Sequence, residues 1–275
     1  MWRTDSFWWS CWLVCSVLVP VSEAASTAPA VFSMDTLQST RPQFTVHLSA
    51  DRGHANHGWL NTHHSFSFAQ WHDPSRMHFG AMRVLNDDVV AGGGGFGMHP
   101  HDNMEIVSIP TQGALEHKDS MGNSSVIRTG DVQIMSAGTG VRHSEFNHSA
   151  SEDVAFFQVW IYPNQQGLEP RYDQEAYSLD SKGLTCIVSP DGADGVSIHQ
   201  RSWFHTGQLN SGETLSHALH GKGQGLYVMV LEGSVEVEGE RLGRRDAIGV
   251  WDTDRVELEA TSACSLLLIE VPMQW

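Results

Sequence analysis

Two short segments hold the residues best suited to chemistry in this sequence. The first is Gly92-Gly93-Gly94-Gly95-Phe96-Gly97-Met98-His99-Pro100-His101-Asp102-Asn103-Met104-Glu105. The second, 42 residues beyond His101, is His143-Ser144-Glu145. On an extended strand, residues two apart project to the same face. His99 and His101 therefore share one face, as do His143 and Glu145, and Glu105 shares the parity of His101 if no bulge intervenes. Two strands that each offer an inward pair can meet across a barrel. Three imidazoles and one carboxylate then surround a single centre. Mixed nitrogen and oxygen donors of this kind suit Fe(II), Mn, Ni, Cu or Zn rather than Ca or Mg. A six-coordinate ion so held would keep two positions for water, substrate or dioxygen.

One His-x-His pair in a chain with 16 histidines carries little weight. Two ligand pairs, each on a predicted strand after a Gly-rich turn, carry much more. Glu105 reads as a fifth ligand, a group behind the ligands or a catalytic base; because Glu145 already supplies a carboxylate, an inward non-ligand role is expected. His54, His57, His63, His64, His72 and His78 are too irregularly spaced for a second metal cluster. They are expected at structural or surface positions, with one or two at a pocket mouth.

The elements that must position these residues read as strands. From Phe44 onward, short β-type runs alternate with turns: Met82-Arg83-Val84-Leu85 before Asn86-Asp87-Asp88, then Ile106-Val107-Ser108-Ile109. The strongest run is Ala155-Phe156-Phe157-Gln158-Val159-Trp160-Ile161-Tyr162. Turns at Gly130-Asp131 and Gly138-Thr139-Gly140 precede the His143 pair. Pro163 to Tyr177 is polar, has two prolines and reads as a linker. The strand rhythm then resumes with Leu226 to Leu231, Ser234 to Glu238 and Ser265 to Val271. With 26 glycines and only 17% charged residues, the chain is expected to be all-β, in two halves that are diverged duplicates.

A formal net charge of −16 would repel a phosphate backbone, so direct nucleic-acid binding is not expected. No membrane span follows the leader. Residues 1–24 read as a cleaved secretory signal: Arg3, an apolar run from Phe7 to Val21, then Ser22-Glu23-Ala24. An organelle-targeting signal and a start at Met34, which would make the protein cytoplasmic, are the competing readings. Residues 25–43 read as a linker rich in Ser, Thr, Ala and Pro. Cys11, Cys15, Cys186 and Cys264 match no zinc spacing and are expected as buried apolar groups; a Cys186–Cys264 disulfide would require an oxidising compartment. Asn123-Ser124-Ser125 and Asn147-His148-Ser149 fit the glycosylation pattern, the second so close to the proposed ligands that it reads as a chance match.

Taken together, these segments resemble the pirin family of bicupins, particularly its bacterial-type members with quercetinase activity. The likeness runs from about Phe44 to Met273. It is dense in Asp51-Arg52-Gly53-His54, His57-Gly58-Trp59-Leu60, Phe66-Ser67-Phe68, Asp73-Pro74 and Arg83-Val84-Leu85-Asn86-Asp87-Asp88. It continues through Gly95 to His101, His117-Lys118-Asp119-Ser120-Met121-Gly122-Asn123 and Gly138 to Asn147. The resemblance implies two cupin barrels of the double-stranded β-helix, or jelly-roll, type: a metal-bearing one at 44–164 and a metal-free one at 178–275, joined by a linker at 165–177. It implies one metal, usually iron, on His99, His101, His143 and Glu145. The general cupin pattern would put the last histidine where Val141 stands, and the pirin-type loop accounts for that offset. Ala91 and His78 replace residues that are often Pro and Gly. The second half has no matching ligand set, because His217 and His220 are three apart and would face opposite sides of a strand.

The implied activity is a dioxygenase that opens the heterocycle of a flavonol such as quercetin, using O2. Glu145 or Glu105 would accept the hydroxyl proton, and Phe96, Met98 and Phe156 would line the pocket. A monomer is expected. The alternative is a non-enzymatic, redox-responsive binding or regulatory protein. An oxygenase or isomerase for another enolic metabolite is a third reading that the ligands alone do not separate.

Overall fold

The computed structural model describes residues 41–179 and 183–275. The leader, Cys11 and Cys15 lie outside the described residues. Within them the chain is built almost wholly of β-strands, with one 3-10 turn at Ser49–Asp51.

Each half is a barrel made of a seven-stranded and a four-stranded sheet. In the first half the large sheet runs, in spatial order, Arg171–Ala176, Asp131–Ser136, Glu105–Gln112, Val154–Ile161, Met82–Val90, Leu60–His64 and Gly53–Asn56. Its small sheet runs Gly95–His101, Val141–Asn147, Ala114–Asp119 and Ser124–Arg128. In the second half the large sheet runs Gln43–His47, Ala247–Trp251, Gln224–Glu232, Cys264–Pro272, Trp203–Leu209, Gly183–Ser189 and Val196–Ser197. Its small sheet runs Thr214–Ala218, Arg255–Ala260, Val235–Val237 and Glu240–Leu242. Apart from the exchanged edge strands and the outermost pair at the other end, where Gly53–Asn56 precedes its antiparallel neighbour and Val196–Ser197 follows its parallel one, the two lists match place for place in chain order.

The edge strands correct the expected boundaries. Gln43–His47 precedes the first barrel yet pairs with Ala247–Trp251 of the second. Arg171–Ala176, expected as linker, pairs with Asp131–Ser136 of the first. Each half therefore has an edge strand supplied from outside the span assigned to it. Polar strands such as Arg171–Ala176 show no apolar alternation because an edge strand has only one neighbour and is largely solvated.

Strand alternation divides the core. Along Val154–Ile161, Phe157, Val159 and Ile161 join a large cluster that also contains Phe204, Tyr227, Met229, Leu267 and Ile269 of the second half. The two large sheets thus share their outer faces as one core. Gly249 makes room there: a Cβ at that position would stand 2.4 Å from the Phe79 ring. The alternate residues face the barrel interiors. The second barrel is filled with aliphatics such as Leu226, Val228, Ile248 and Leu268. The first has aliphatic groups at one end and buried polar ones elsewhere, among them Asn86, Asp88, Ser108, His117, His143, Glu145 and Gln158. Burying so many polar groups is costly unless each finds a partner, so their concentration marks a functional interior.

Cys186 and Cys264 are free thiols. They pair opposite His205 and Leu209, four positions apart on one strand. At roughly 3.3 Å per residue that is too far for a disulfide. Asn147 is buried, and its Nδ2 donates to Val90 O and Glu152 O, so that sequon is no acceptor site.

Among the polar contacts that cross between the halves is a buried ion-pair cluster. Asp87 of the first half accepts from Arg52 Nη1 at 3.3 Å and pairs with Arg245 Nε of the second half at 3.0 Å, all three side chains at most 14% exposed. Arg245 also lies over the Phe157 ring, 4.9 Å from its centroid. Asp87→Ala leaves two largely buried guanidiniums without their carboxylate, and should lower unfolding free energy by about 3 kcal/mol. Denaturant unfolding of the two proteins checks this; a change within about 0.5 kcal/mol, as for an ordinary surface site, would show the contact to be dispensable.

Candidate metal centre

The small sheet of the first barrel brings three of the four expected ligands together. Gly95–His101 pairs antiparallel with Val141–Asn147, which sets His99 opposite His143 and His101 opposite Val141. The turn before the second strand uses Gly138 and Gly140 at φ 47° and 134°, a region that favours glycine. One donor atom from each of His99, His101 and His143 lies within 4.8 Å of the others. The ring centroids are 4.4 to 5.0 Å apart. Glu145 falls in a second cluster, with His117 and His143, at the same spacing. His143 is common to both clusters, whereas Glu145 groups with His117 and His143 and not with His99 or His101.

Local hydrogen bonds set the rings. His99 Nδ1 donates to Gly97 O at 2.8 Å, which leaves Nε2 as the free lone pair. Glu145 is held from both sides: Oε1 accepts from Ser108 Oγ at 3.2 Å and Oε2 from Gln158 Nε2 at 2.8 Å. His143 is 1% exposed, and neither of its ring nitrogens has a hydrogen-bond partner. A buried imidazole without partners is costly, and a divalent cation at the meeting point of these rings would satisfy it. Burial lowers the His143 imidazole to about 3, with His99 and His117 adding to the effect. Burial lowers His101 to about 4, with His143 and His99 adding. Both rings are therefore neutral at ordinary pH, the form that ligates metal. The residues present fit a divalent metal ion.

His117 is the group that sequence reasoning missed, although it stands in a motif quoted for the resemblance. It pairs opposite Glu145 and is fully buried. Its Nε2 lies 3.2 Å from Asp119 Oδ2, while its Nδ1 has no partner. Asp119 is itself anchored by the backbone N–H groups of Met121 and Asn123 and by the Asn123 amide. A carboxylate that orients an imidazole in this way is the usual support behind a metal ligand. The signal was available in principle: Leu115, His117 and Asp119 alternate on one strand.

Glu105 does not join the site. Asn103 adopts φ 46°, which ends one strand at His101 and starts the next at Glu105, so the expected parity is lost. Glu105 lies on the face of its strand that carries Val107 and Ile109 into the shared core. Its Oε2 accepts from Ser136 Oγ at 3.0 Å and from the His199 backbone N–H at 3.2 Å. Burial raises its pKa, and no geometry connects it to the imidazoles.

Above the cluster lies a cavity of about 800 Å³. Its walls include Trp59, Phe68, Trp71, Phe96 and Trp160, with His54, His57 and His64 also lining it. Of the expected lining residues only Phe96 reaches it. A bulge between His143 and Glu145 in the strand pairing allows Phe96 inward. Met98 is 47% exposed, and Phe156 is packed into the aliphatic end of the barrel. Asp88 also lines the cavity and was not foreseen. Its Oδ1 has no partner. Its carboxyl is pushed up to about 7 by burial, opposed by a Thr62 hydrogen bond and reinforced by the charges of Asp87 and Glu145.

His217 and His220 of the second half, expected to diverge, come together. Thr214–Ala218 ends before His220, so strand parity does not govern the pair, and both imidazoles reach Glu270.

Comparison with known proteins agrees with this architecture. Residues 45–161 match the family model described as Pirin, and residues 186–271 match the one described as Quercetinase C-terminal cupin domain. The chain is 41% identical to the quercetin 2,3-dioxygenase of Escherichia coli strain K12 over 223 residues, 81% of this chain and 96% of that protein. It is 38% identical to a pirin-like protein of Caulobacter vibrioides, over 79% of this chain and 95% of that one. The crystal structure of the bacterial pirin YhhW from E. coli in complex with nickel(II) superposes with a TM-score of 0.80 at 38% identity, covering 84% of this chain and 99% of that one. With both barrels matched and most of each relative covered, this chain belongs to the pirin family.

Proposed function

We propose that this protein is a metal-dependent dioxygenase that opens the heterocycle of a flavonol such as quercetin. The observation that carries the reading is the buried, partnerless His143 imidazole beside His99 and His101 at the base of an aromatic-walled cavity. In this reading His99, His101, His143 and Glu145 hold one divalent metal, with Fe(II) the first choice and Mn, Ni, Cu or Zn the alternatives. When bound, the metal supplies Lewis acidity toward an enolic hydroxyl and a redox-capable centre for O2. The similarity to proteins named quercetin 2,3-dioxygenase supports the choice of reaction.

The chain's own residues do the rest. Trp59, Phe68, Trp71 and Trp160 offer flat apolar faces to a planar polyphenol and keep water from it. Phe68 and Trp160 meet edge to face at 5.5 Å, as do Trp59 and Phe96 at 5.2 Å, which makes the walls rigid. Ser108 and Gln158 hold Glu145 in one orientation. Asp88, a cavity-lining residue whose buried Oδ1 has no hydrogen-bond partner, takes the hydroxyl proton once ionised above about pH 7, the acceptor role first assigned to Glu145 or Glu105.

Iron-loaded protein should consume O2 with quercetin. His143→Ala should lower metal occupancy and reduce kcat/KM by roughly 100-fold or more. No turnover with any flavonol by fully loaded protein would remove the enzymatic reading and favour the non-catalytic binding role. In the wild type, kcat/KM should rise with pH through about 7 as Asp88 loses its proton. Asp88→Asn should abolish that limb; a limb that persists unchanged would exclude Asp88 as the acceptor.

The lowered histidine values give a third expectation. In metal-free protein the folded His101 and His143 bind fewer protons than the unfolded chain below pH 6.5. Their contribution to stability is therefore complete above 6.5 and is lost as pH falls toward 4 and 3. Melting temperatures of chelator-treated protein across that range should show the decline, and His143→Gln should flatten it.

A further inference from the structure

The second barrel contains a cluster to which the proposed reaction assigns no role. Glu270, on Cys264–Pro272, is fully buried. Its Oε1 accepts from the His220 backbone N–H at 2.8 Å. Its Oε2 stands 3.2 Å from His217 Nε2 and 2.9 Å from His220 Nδ1. One donor atom from each of the three side chains lies within 4.8 Å of the others. Among the described residues these two imidazoles are the only ion-pair partners of the Glu270 carboxylate.

We propose that His217, His220 and Glu270 form a second divalent transition-metal site, in the C-terminal barrel, with His205 as a fourth donor. Three observations converge on it. The first is spacing: with metal–ligand bonds of about 2.0–2.2 Å, neighbouring donors on one ion stand about 3.0–3.5 Å apart. Of the two separations from Oε2, 3.2 Å falls at that spacing and 2.9 Å just below it. The second is charge and hydrogen bonding. A carboxylate buried at 0% exposure, with no Arg or Lys paired to it among the described residues, is held by two imidazoles and one backbone N–H, a donor set that a cation can share. Beside it, His205 has a buried Nδ1 with no hydrogen-bond partner, its ring centroid 5.1 Å from that of His217 and 6.3 Å from that of His220. Nitrogen donors with one carboxylate suit Zn, Ni, Co, Fe or Mn.

The third is position. Thr214–Ala218 occupies in its sheet the place that Gly95–His101 occupies in the first barrel. His220 stands four residues before the next strand begins at Gln224, as His101 stands four before Glu105. The second barrel thus presents donors at the end of the structure equivalent to the first centre, drawn from a different set of strands. The Trp203 ring stacks on His220 at 3.9 Å and 2°, holding the imidazole in place. The His220 side chain is 38% exposed, so an ion has a route from solvent. Aliphatic side chains fill the rest of this barrel among the described residues, in contrast to the cavity of the first one. That favours a structural or binding ion over a second catalytic one.

The test is Co2+ titration of metal-free full-length protein, read by ligand-field absorption and by elemental analysis. Wild type should take up about two equivalents. The double variant His99→Ala with His143→Ala, which removes a donor from each cluster of the first centre, should retain about one. Adding His220→Ala or Glu270→Gln to it should weaken that remaining equivalent by at least roughly 10-fold. His220 is half-exposed, so its variant keeps the test valid if Glu270→Gln fails to fold, and circular dichroism establishes which variants are native. Loss of all binding in the folded double variant would overturn the proposal. So would a second equivalent that persists unchanged in the folded His220→Ala and Glu270→Gln proteins. None of these outcomes depends on whether flavonols are turned over.

Discussion

The antiparallel pairing of Gly95–His101 with Val141–Asn147 is the constraint on which the rest of the molecule depends. It places His99 opposite His143 and carries Glu145 into the same interior, where Ser108 and Gln158 reach across from the large sheet to hold it. The polar interior is tolerated because its groups hold one another. Glu145 has two donors, and Asp119 has three besides its contact with His117. What these contacts do not satisfy is His143, and that unmet requirement is what makes the barrel a receptor for a cation and not merely a packed sandwich.

The two barrels use one architecture for opposite ends. Their large sheets turn alternate residues toward a shared apolar core, which stabilises both, and the remaining residues inward. In the first barrel the inward set is polar and leaves a cavity; in the second it is aliphatic and leaves little room. Exchange of the edge strands Gln43–His47 and Arg171–Ala176 ties the halves further, since each barrel is completed by a strand from outside its own span. A rigid second barrel bound in this way gives the cavity walls a fixed base. Positioning catalytic groups to within fractions of an ångström requires such support.

Buried carboxylates recur in the molecule with different companions. Glu145 lies among amide, hydroxyl and imidazole groups, Asp88 faces the cavity with an oxygen free, Glu105 is turned into the shared core, and Glu270 sits between two imidazoles. The same side-chain type thus stands as candidate ligand, candidate proton acceptor, structural bond and candidate ligand again. What distinguishes these roles is the strand face and the neighbours across it, not the local sequence.

Much of this was legible in the residues themselves. The period-two alternation is a local property, so the all-β class and the two halves were legible, and so was the gathering of His99, His101 and His143 on neighbouring strands. Wherever local regularity broke, the sequence alone misled. Asn103 turns the chain and carries Glu105 to the other face; Thr214–Ala218 stops short of His220 and lets it rejoin His217; a bulge brings Phe96 inward. The exchanged edge strands, the anchoring of His117 by Asp119, and the exposure of Asp88 to the cavity were decided only by tertiary structure. Alternation tells which side chains share a face of a strand. Which strands become neighbours, and what lies across the barrel from each face, depends on contacts between residues far apart in the chain.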